Sequence, residues 1–331
     1  MSATALPAGH ALRRPVLDDL PEVYRLLVAH DVSVLGFPDL TEDDLRDEFT
    51  EPGFDPVTDG WLALDADGVA VGYAWACRKG TSADVDIDFY VHPDADPGLG
   101  GCLLTVVERR AGEIGRELGH GRIRAMVGCY RVALGEAALL AERGYTVVTT
   151  FHRMRVTLDG DLADLADLAD LAGPPVPSGV TVRVCGTDED LLRAAHGVKE
   201  VAFRGHFGTV PQSFDEWYGH FAKRSSTDWS QVWYAEFDDE PAAMLLATNA
   251  FVETDNAGYV QALGVHPRAR GKGLAKLLLR ISFAEMSRRG RTSAMLGVDT
   301  NNASGALSLY ESVGMRPVLE IDVWRKAITL G

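Results

Sequence analysis

The sequence predicts an α+β protein built from two copies of one domain, and three observations carry that prediction. First, two passages set the string VHP between a β-branched, aromatic run and a Gly-rich turn. They are DVDIDFYVHPDADPGLGGCLL near residue 90 and NAGYVQALGVHPRARGKGLAKLLL near residue 265, with His92 and His266 lying 174 residues apart. Second, LLAERGYTVV (139–148) parallels LYESVGMRPV (309–318), with Gly144 and Gly314 at a spacing of 170. Third, WLALDADGVAVGYAW (61–75) parallels VWYAEFDDEPAAMLL (232–246). Landmarks kept in one order along both halves are the signature of an internal repeat.

The elements follow in order. LRRPVLDDLPEV (12–23) and TVRVCGTDEDLL (181–192) each join a short β-like run to Asp-rich helix-start signals. The 61–75 and 232–246 segments read as hairpins, with DADG and FDDEP as their turns. A strand, a Gly-rich turn and an apolar helical pattern then surround each VHP. In the second copy AMLGV reads as a further strand. Asn302 is expected to open the helix that carries Leu307, Tyr310 and Glu311, and Gly314 to end it as a C′ glycine. Between the copies lies GDLADLADLADLAGPPVPSG (160–179). Its DLA triplet puts Leu at every third position, which drifts around a helix without forming a strong apolar stripe. A short acidic helix and a Pro-rich linker are expected there, dividing the chain into domains at 1–158 and 180–331 with a linker at 159–179.

Composition sets the outer limits. The 331 residues are 46% hydrophobic and 24% charged, which excludes a wholly disordered chain or a coiled-coil rod. A net charge of −16 makes a poor general binder of nucleic acid or anionic membrane, so neither is an expected partner. Cys77, Cys102, Cys129 and Cys185 form no CxxC pair and have no His at zinc spacing; isolated thiols and no metal are expected. The N-terminal MSATALPAGHALRRP lacks the apolar core of a signal peptide, and no run approaches the ~18 apolar residues of a membrane span. A cytoplasmic, soluble protein is the expectation.

One motif carries chemistry. In the second copy, Arg268-Ala269-Arg270-Gly271-Lys272-Gly273 follows the strand Tyr259–Val265 and precedes LAKLLLRISFAEMSRRG. The two glycines let the chain turn tightly with its N–H groups facing one point. The next helix adds unpaired donors and a positive dipole end, an arrangement that cradles a pyrophosphate. Residues 268–291 carry a net charge of +7, whereas the matching window 94–117 carries −2.

Strand, RxxGxG, helix, strand and then N-x₇-Y-x₃-G-M (Asn302, Tyr310, Gly314, Met315) resembles the pattern of the Gcn5-related N-acetyltransferases (GNAT). The chain as a whole is similar to the tandem, mycothiol synthase-like members of that superfamily. The resemblance implies two GNAT domains, each a mixed, mostly antiparallel twisted sheet flanked by helices, with a degenerate N-terminal copy and a catalytic C-terminal one. It implies acetyl-CoA as donor and the amine of a small molecule as acceptor, with direct transfer and no covalent enzyme intermediate. The amides of Arg270, Gly271, Lys272, Gly273, Leu274 and Ala275, with Arg268 beside them, would take the pyrophosphate. The main chain of Leu263 and Val265 would hold the pantetheine arm. Tyr310 would protonate the leaving thiolate, a phenol of pKa ~10 facing a thiol of ~8.5. Asn302 would hydrogen-bond the cofactor or cap its helix.

The base is open. Where the mycothiol synthase-like members carry a Glu, this chain has Tyr259, leaving Glu253, Asp255 and Asp299 as candidates, with Glu236 and Glu200 behind them. His206, Phe207 and Trp217 fall in the segment where the family places its acceptor site, and could wall that pocket. The first copy departs from the motif: Asp94 stands for Arg268, Asp96 for Arg270, Pro97 is inserted, and Leu140 replaces Tyr310, although Gly98, Gly100 and Gly101 remain. Two rivals stand beside this reading, a non-catalytic acyl-CoA or metabolite binder, and an acyltransferase using another acyl group or a hydroxyl acceptor. A monomer or homodimer is expected.

Overall fold

A computed structural model describes residues 6–51, 53–158, 176–302 and 305–331. The expected DLA helix and most of the Pro-rich linker lie outside the described residues. The strands are β1 (Ala11–Arg13), β2 (Gly60–Leu64), β3 (Ala70–Arg78), β4 (Asp84–Val91), β5 (Arg122–Tyr130), β6 (Thr146–Thr157), β7 (Val180–Val184), β8 (Thr227–Phe237), β9 (Glu240–Thr248), β10 (Ala257–Val265), β11 (Ser293–Asp299) and β12 (Arg316–Thr329). The helices are α1 (Leu20–Leu35), α2 (Glu42–Phe49), α3 (Pro56–Asp59), α4 (Leu99–Glu117), α5 (Leu134–Glu142), α6 (Glu189–Ala202), α7 (Phe214–Ala222), α8 (Val252–Asp255), α9 (Leu274–Arg288) and α10 (Ala306–Glu311).

The chain forms two compact units, Met1–Thr150 with Glu320–Gly331, and Phe151–Leu319. They cross the division expected at residue 158. In the first unit the strands run β1-β2-β3-β4-β5-β12; in the second they run β6-β11-β10-β9-β8-β7. Each copy therefore gives its last strand to the other's unit. β12, at the end of the second copy, lies antiparallel on β5 from Ile321↔Tyr130 to Thr329↔Arg122. Residues Phe151–Thr157 of β6, at the end of the first copy, lie antiparallel on β11. Within each sheet the pairs are antiparallel except β4–β5 and β10–β11.

Local chemistry explains the elements. The hairpin turn between β8 and β9 puts Asp238 and Asp239 at φ 51° and 60°, the left-handed pair of a type I′ turn. Asp188 caps α6 by accepting from the N–H groups of Asp190 and Leu191. Ser213 and Glu216 form a capping box on α7. In α4, Leu99, Leu103, Leu104, Val107, Ala111 and Ile114 recur at helical spacing and are buried against the sheet. In α9, Leu274, Leu278, Leu279, Phe283 and Met286 do the same in the second unit. The opposite sheet faces are covered by α1 and α2 in the first unit and by α6 and α7 in the second.

One boundary expectation fails. Asn302 does not open a helix: α10 begins at Ala306 behind Gly305, whose φ of 75° suits only a residue tolerant of the left-handed region. The Asn302 N–H instead closes a turn on the Asp299 carbonyl at 3.1 Å. Gly314 does stand past the helix end, at φ 87°.

Candidate active site

The second unit opens a fork in its sheet. β10 and β11 pair in parallel from Ala257↔Ser293 to Val260↔Leu296, and their register ends there. On its other side β10 stays paired with β9 as far as Val265↔Ala243, with a bulge between Val260 and Ala262. A bulge bends a strand and re-aims its edge. The β11-facing edge of Leu263 to Val265 is thereby left beyond the last β10–β11 pair, an extended main chain beside an open fork. In the first unit β4 and β5 also part, after Asp86↔Met126, but β4 runs against β3 without a bulge.

The loop after β10 is set by its own hydrogen bonds. His266 Nδ1 accepts the Arg268 N–H, and the Ala269 N–H reaches the His266 carbonyl at 2.9 Å. Gly271 and Gly273 follow at φ 75° and 79°, with nothing within 4 Å of a Cβ built on either. Leu277 makes its bond back to Gly273 at 3.0 Å, so Leu274, Ala275 and Lys276 are the donor-bearing first turn of α9. Arg270, Gly271, Lys272 and Gly273 are exposed. An exposed loop leading into unpaired first-turn amides is the form that an anion-binding helix start takes.

The cations divide in two. Arg268 points back to the β8–β9 hairpin, bonding Glu240 at 3.0 Å and the Pro241 carbonyl at 2.9 Å. Arg288 and Arg289 pair with Glu285, and Arg289 also with Asp228. Arg270 makes no ion pair among the described residues, Lys272 lies 5.4 Å from the Phe237 ring, and Lys276 reaches the Ser312 carbonyl only at 3.4 Å. The positive field at the cradle therefore comes from Arg270, Lys272 and Lys276.

The corresponding loop of the first unit is already filled. Gly98 has an ordinary φ of −76°, its N–H is taken by the Asp96 carboxylate at 2.8 Å, and the Leu99 N–H by the Asp96 carbonyl at 3.0 Å. Pro97 has no N–H to offer. An anion would have to displace a carboxylate to reach these donors.

Tyr310 is 9% exposed and packs with the α9 side of the core. Burial, with the neighbouring Tyr259 adding to it, pushes its phenol up to about 12. It is therefore a protonated donor throughout the working range. Tyr259 occupies the last-but-one paired position of β10, its hydroxyl 3.2 Å from where a Cβ on Gly297 would stand. Gly297 is the first residue of β11 beyond the paired stretch, so the Tyr259 hydroxyl sits at the root of the fork. Phe251 packs on the Tyr259 ring at 5.1 Å.

The candidate bases are scattered. Glu253 is exposed on α8. Asp255 is held by Arg155 at 3.0 Å, Glu236 by Arg183 at 3.0 Å and Glu200 by Lys199 at 2.7 Å. Asp299 ends β11 and accepts the Asn301 N–H at 2.9 Å. It also acts on His206. The His206 imidazole is held below the ordinary histidine value, first by burial and then by Arg270, with Asp299 opposing. The charge state of His206, on the α6–α7 loop, thus responds to Arg270 of the loop after β10 and to Asp299 at the end of β11. Sequence reasoning placed His206 in a pocket wall, but no signal along the chain joined it to Asp299.

The two aromatic residues expected to wall the acceptor pocket differ in exposure. Phe207 is 36% exposed with its ring 6.4 Å from Phe151, and Phe151 is the strand partner of Asp299. Trp217 is a core residue instead. It is 2% exposed and surrounded by His196, Phe214, Phe221 and Trp229. The Ser213 cap fixes the phase of α7 so that Trp217 and Phe221 turn inward.

Comparison with known proteins agrees with this geometry. Residues 200–315 match the model of the acetyltransferase (GNAT) family. The mycothiol acetyltransferase of Thermomonospora curvata is 30% identical over 266 residues, covering 76% of this chain and 77% of its own. That of Salinispora arenicola is 29% identical over 258 residues, covering 75% of each. A GCN5-related N-acetyltransferase from Sphaerobacter thermophilus has a TM-score of 0.79 at 26% identity, covering 99% of this chain and 98% of its own. A tandem GNAT protein from the clavulanic acid biosynthesis pathway shares the fold, with a TM-score of 0.70 at 16% identity and 96% and 98% coverage.

Proposed function

The chain belongs to the acetyltransferase (GNAT) family as a tandem member, and from that premise we propose that its second copy moves an acetyl group from acetyl-CoA to the amine of a small molecule. The observation that carries this reading is the contrast between the two loops. Gly271 and Gly273 hold an open cradle, while Asp96 fills the first unit's.

Each residue then has a task. The amides of Arg270 to Ala275 bind the pyrophosphate, and Arg270, Lys272 and Lys276 supply its counter-charge. Arg268 acts indirectly, tying the loop to the β8–β9 hairpin. The free edge of Leu263 and Val265 binds the pantetheine arm as an added strand. Asn302 closes the turn that starts at Asp299, its N–H on the Asp299 carbonyl. Tyr310 gives its phenolic proton to the departing thiolate. His206, its pKa lowered by burial and by the Arg270 charge against the opposing charge of Asp299, takes the proton lost by the acceptor amine. Glu253 is the competing base, and its exposure on α8 argues for the weaker role. Phe207 and Phe151 offer an apolar wall to the acceptor.

The binding-protein rival draws support from Tyr259, which fills the place of a carboxylate at the fork. The test is amine-dependent thiol release from acetyl-CoA across a panel of small amines, beginning with the acceptor of mycothiol acetyltransferases. Release that requires an added amine supports transfer. Tight acetyl-CoA binding without release across the panel supports the rival.

A further inference from the structure

We propose that Tyr259 sets the size of acyl group this chain accepts: its phenol closes the root of the β10–β11 fork and limits the donor to a short acyl chain such as acetyl. The inference rests on the reading that acyl-CoA lies along that fork, and adds the residue that selects its acyl group.

The strand register defines the space. Tyr259↔Met295 and Val260↔Leu296 are the last two pairs of β10 and β11, and Gly297 is the next residue of β11. On the α9 face the root is closed by core, with Val260 4% and Leu296 1% exposed. The other face is open. Gly297 is exposed although β11 lies between β6 and β10, and its neighbours Leu296 and Val298 are buried. A glycine inside a strand often marks a close approach of ligand or backbone. Apart from chain neighbours, the one heavy atom of the described residues within 4 Å of a Cβ built on Gly297 is the Tyr259 hydroxyl, at 3.2 Å. The phenol is therefore the side chain that bounds this opening.

That phenol is held in place. Phe251 packs on its ring with centroids 5.1 Å apart, and the Arg153 guanidinium lies 4.6 Å from the Phe251 ring. The Phe251 carbonyl accepts the Ala257 N–H at 2.9 Å, which ties Phe251 to the start of β10. A side chain packed in this way acts as a fixed wall. Extra methylenes driven against such a wall are destabilising, and a site ranks homologous chains by that cost.

The first unit has the same place without the wall. Asp86 pairs with Met126 as Tyr259 pairs with Met295, and Gly128 follows Met126 as Gly297 follows Met295, exposed in both strands. Asp86 pairs with Lys79 at 3.1 Å, and Ile321, at 3.6 Å, is the one described side chain within 4 Å of a Cβ on Gly128. The glycine is common to both copies, whereas the phenol belongs to the copy with the open loop.

The experiment is calorimetric titration of the full chain with CoA, acetyl-CoA, butyryl-CoA and hexanoyl-CoA, each acyl-CoA being referred to CoA on the same variant. The unaltered chain should bind hexanoyl-CoA about tenfold or more weakly than acetyl-CoA. Tyr259→Ala, or Tyr259→Leu where the smaller side chain unfolds the unit, should bring the two together. Tyr259→Phe keeps the ring and should keep most of the preference. Gly297→Val added to Tyr259→Ala refills the space from the facing strand and should restore it. A preference that survives Tyr259→Ala, or that Gly297→Val fails to restore, overturns the proposal. An unaltered chain that binds no CoA removes the reading on which the inference rests. One that binds CoA without ranking the acyl chains removes this inference alone.

Discussion

Leu140 and Tyr310 hold the same place in the two copies: the carbonyl of each accepts the amide of the fifth residue on, Tyr145 at 3.0 Å and Met315 at 3.1 Å. Both are buried at the end of a helix closed by a glycine of positive φ, Gly144 and Gly314. One copy keeps a proton there and the other keeps only a methyl-bearing core residue.

Tyr310→Phe preserves the ring and removes the proton. Turnover should fall roughly 10²-fold, about 2.7 kcal/mol of barrier, with acetyl-CoA affinity unchanged. Leu140→Ala should behave oppositely, costing about 2–5 kcal/mol of stability in the first unit and leaving transfer by the folded protein intact. Steady-state kinetics and thermal unfolding of the two variants separate these roles.

The base can be read from the pH–rate profile. A neutral His206 predicts a rate that rises with pH along a limb below the ordinary histidine value of ~6.5, since burial and Arg270 lower its pKa. Arg270→Gln removes a like charge and should move the limb upward. Asp299→Asn removes an opposite charge and should move it downward. His206→Gln should abolish the limb. A limb that follows Glu253→Gln instead assigns the base to α8.

The first unit should lose stability as pH rises. Burial opposes the charge of His30, but Asp31 and Glu136 outweigh it and push the imidazole up to about 9. Its contribution is complete below the unfolded value of ~6.5 and is lost through 9. Burial pushes the Asp88 carboxyl up to about 7 against the bonds from Tyr90 and Phe89, so its ionisation costs stability between ~3.9 and 7. Thermal unfolding should fall from pH 5 to pH 9 in the transition that Leu140→Ala also lowers. Asp88→Asn should flatten the acidic part of that fall, and His30→Gln the alkaline part.

The repeat was legible because turns and caps are local. The type I′ hairpin at Asp238 and Asp239, the Asp188 cap and the glycines at 144 and 314 all act within a few residues of themselves. The left-handed glycines of the 271–273 loop were legible for the same reason, as was the different chemistry of Asp96 and Pro97 in the first copy. The exchange of β6 and β12 was not, because an alternating strand has the same pattern in either sheet. Arg268 read as a phosphate ligand, and only the fold brings Glu240 to it. Asn302 read as a helix start because the left-handed Gly305 that sets the true start carries no capping side chain. The charge of Asp299 reaches His206, 93 positions away, through tertiary structure alone.

Acetyl-CoA titration of a matched pair of loop variants tests the central claim most directly. Asp is tolerated at positive φ better than most residues, so Gly271→Asp should fold while placing a carboxylate in the cradle. Gly98→Asp sets the same charge beside Asp96 in the filled loop, where a flexible side chain is the nearest obstacle. The account predicts one acetyl-CoA site per chain, lost in Gly271→Asp and retained in Gly98→Asp, with thiol release following the same pattern. Binding that survives Gly271→Asp, or that disappears in a folded Gly98→Asp variant, would contradict it.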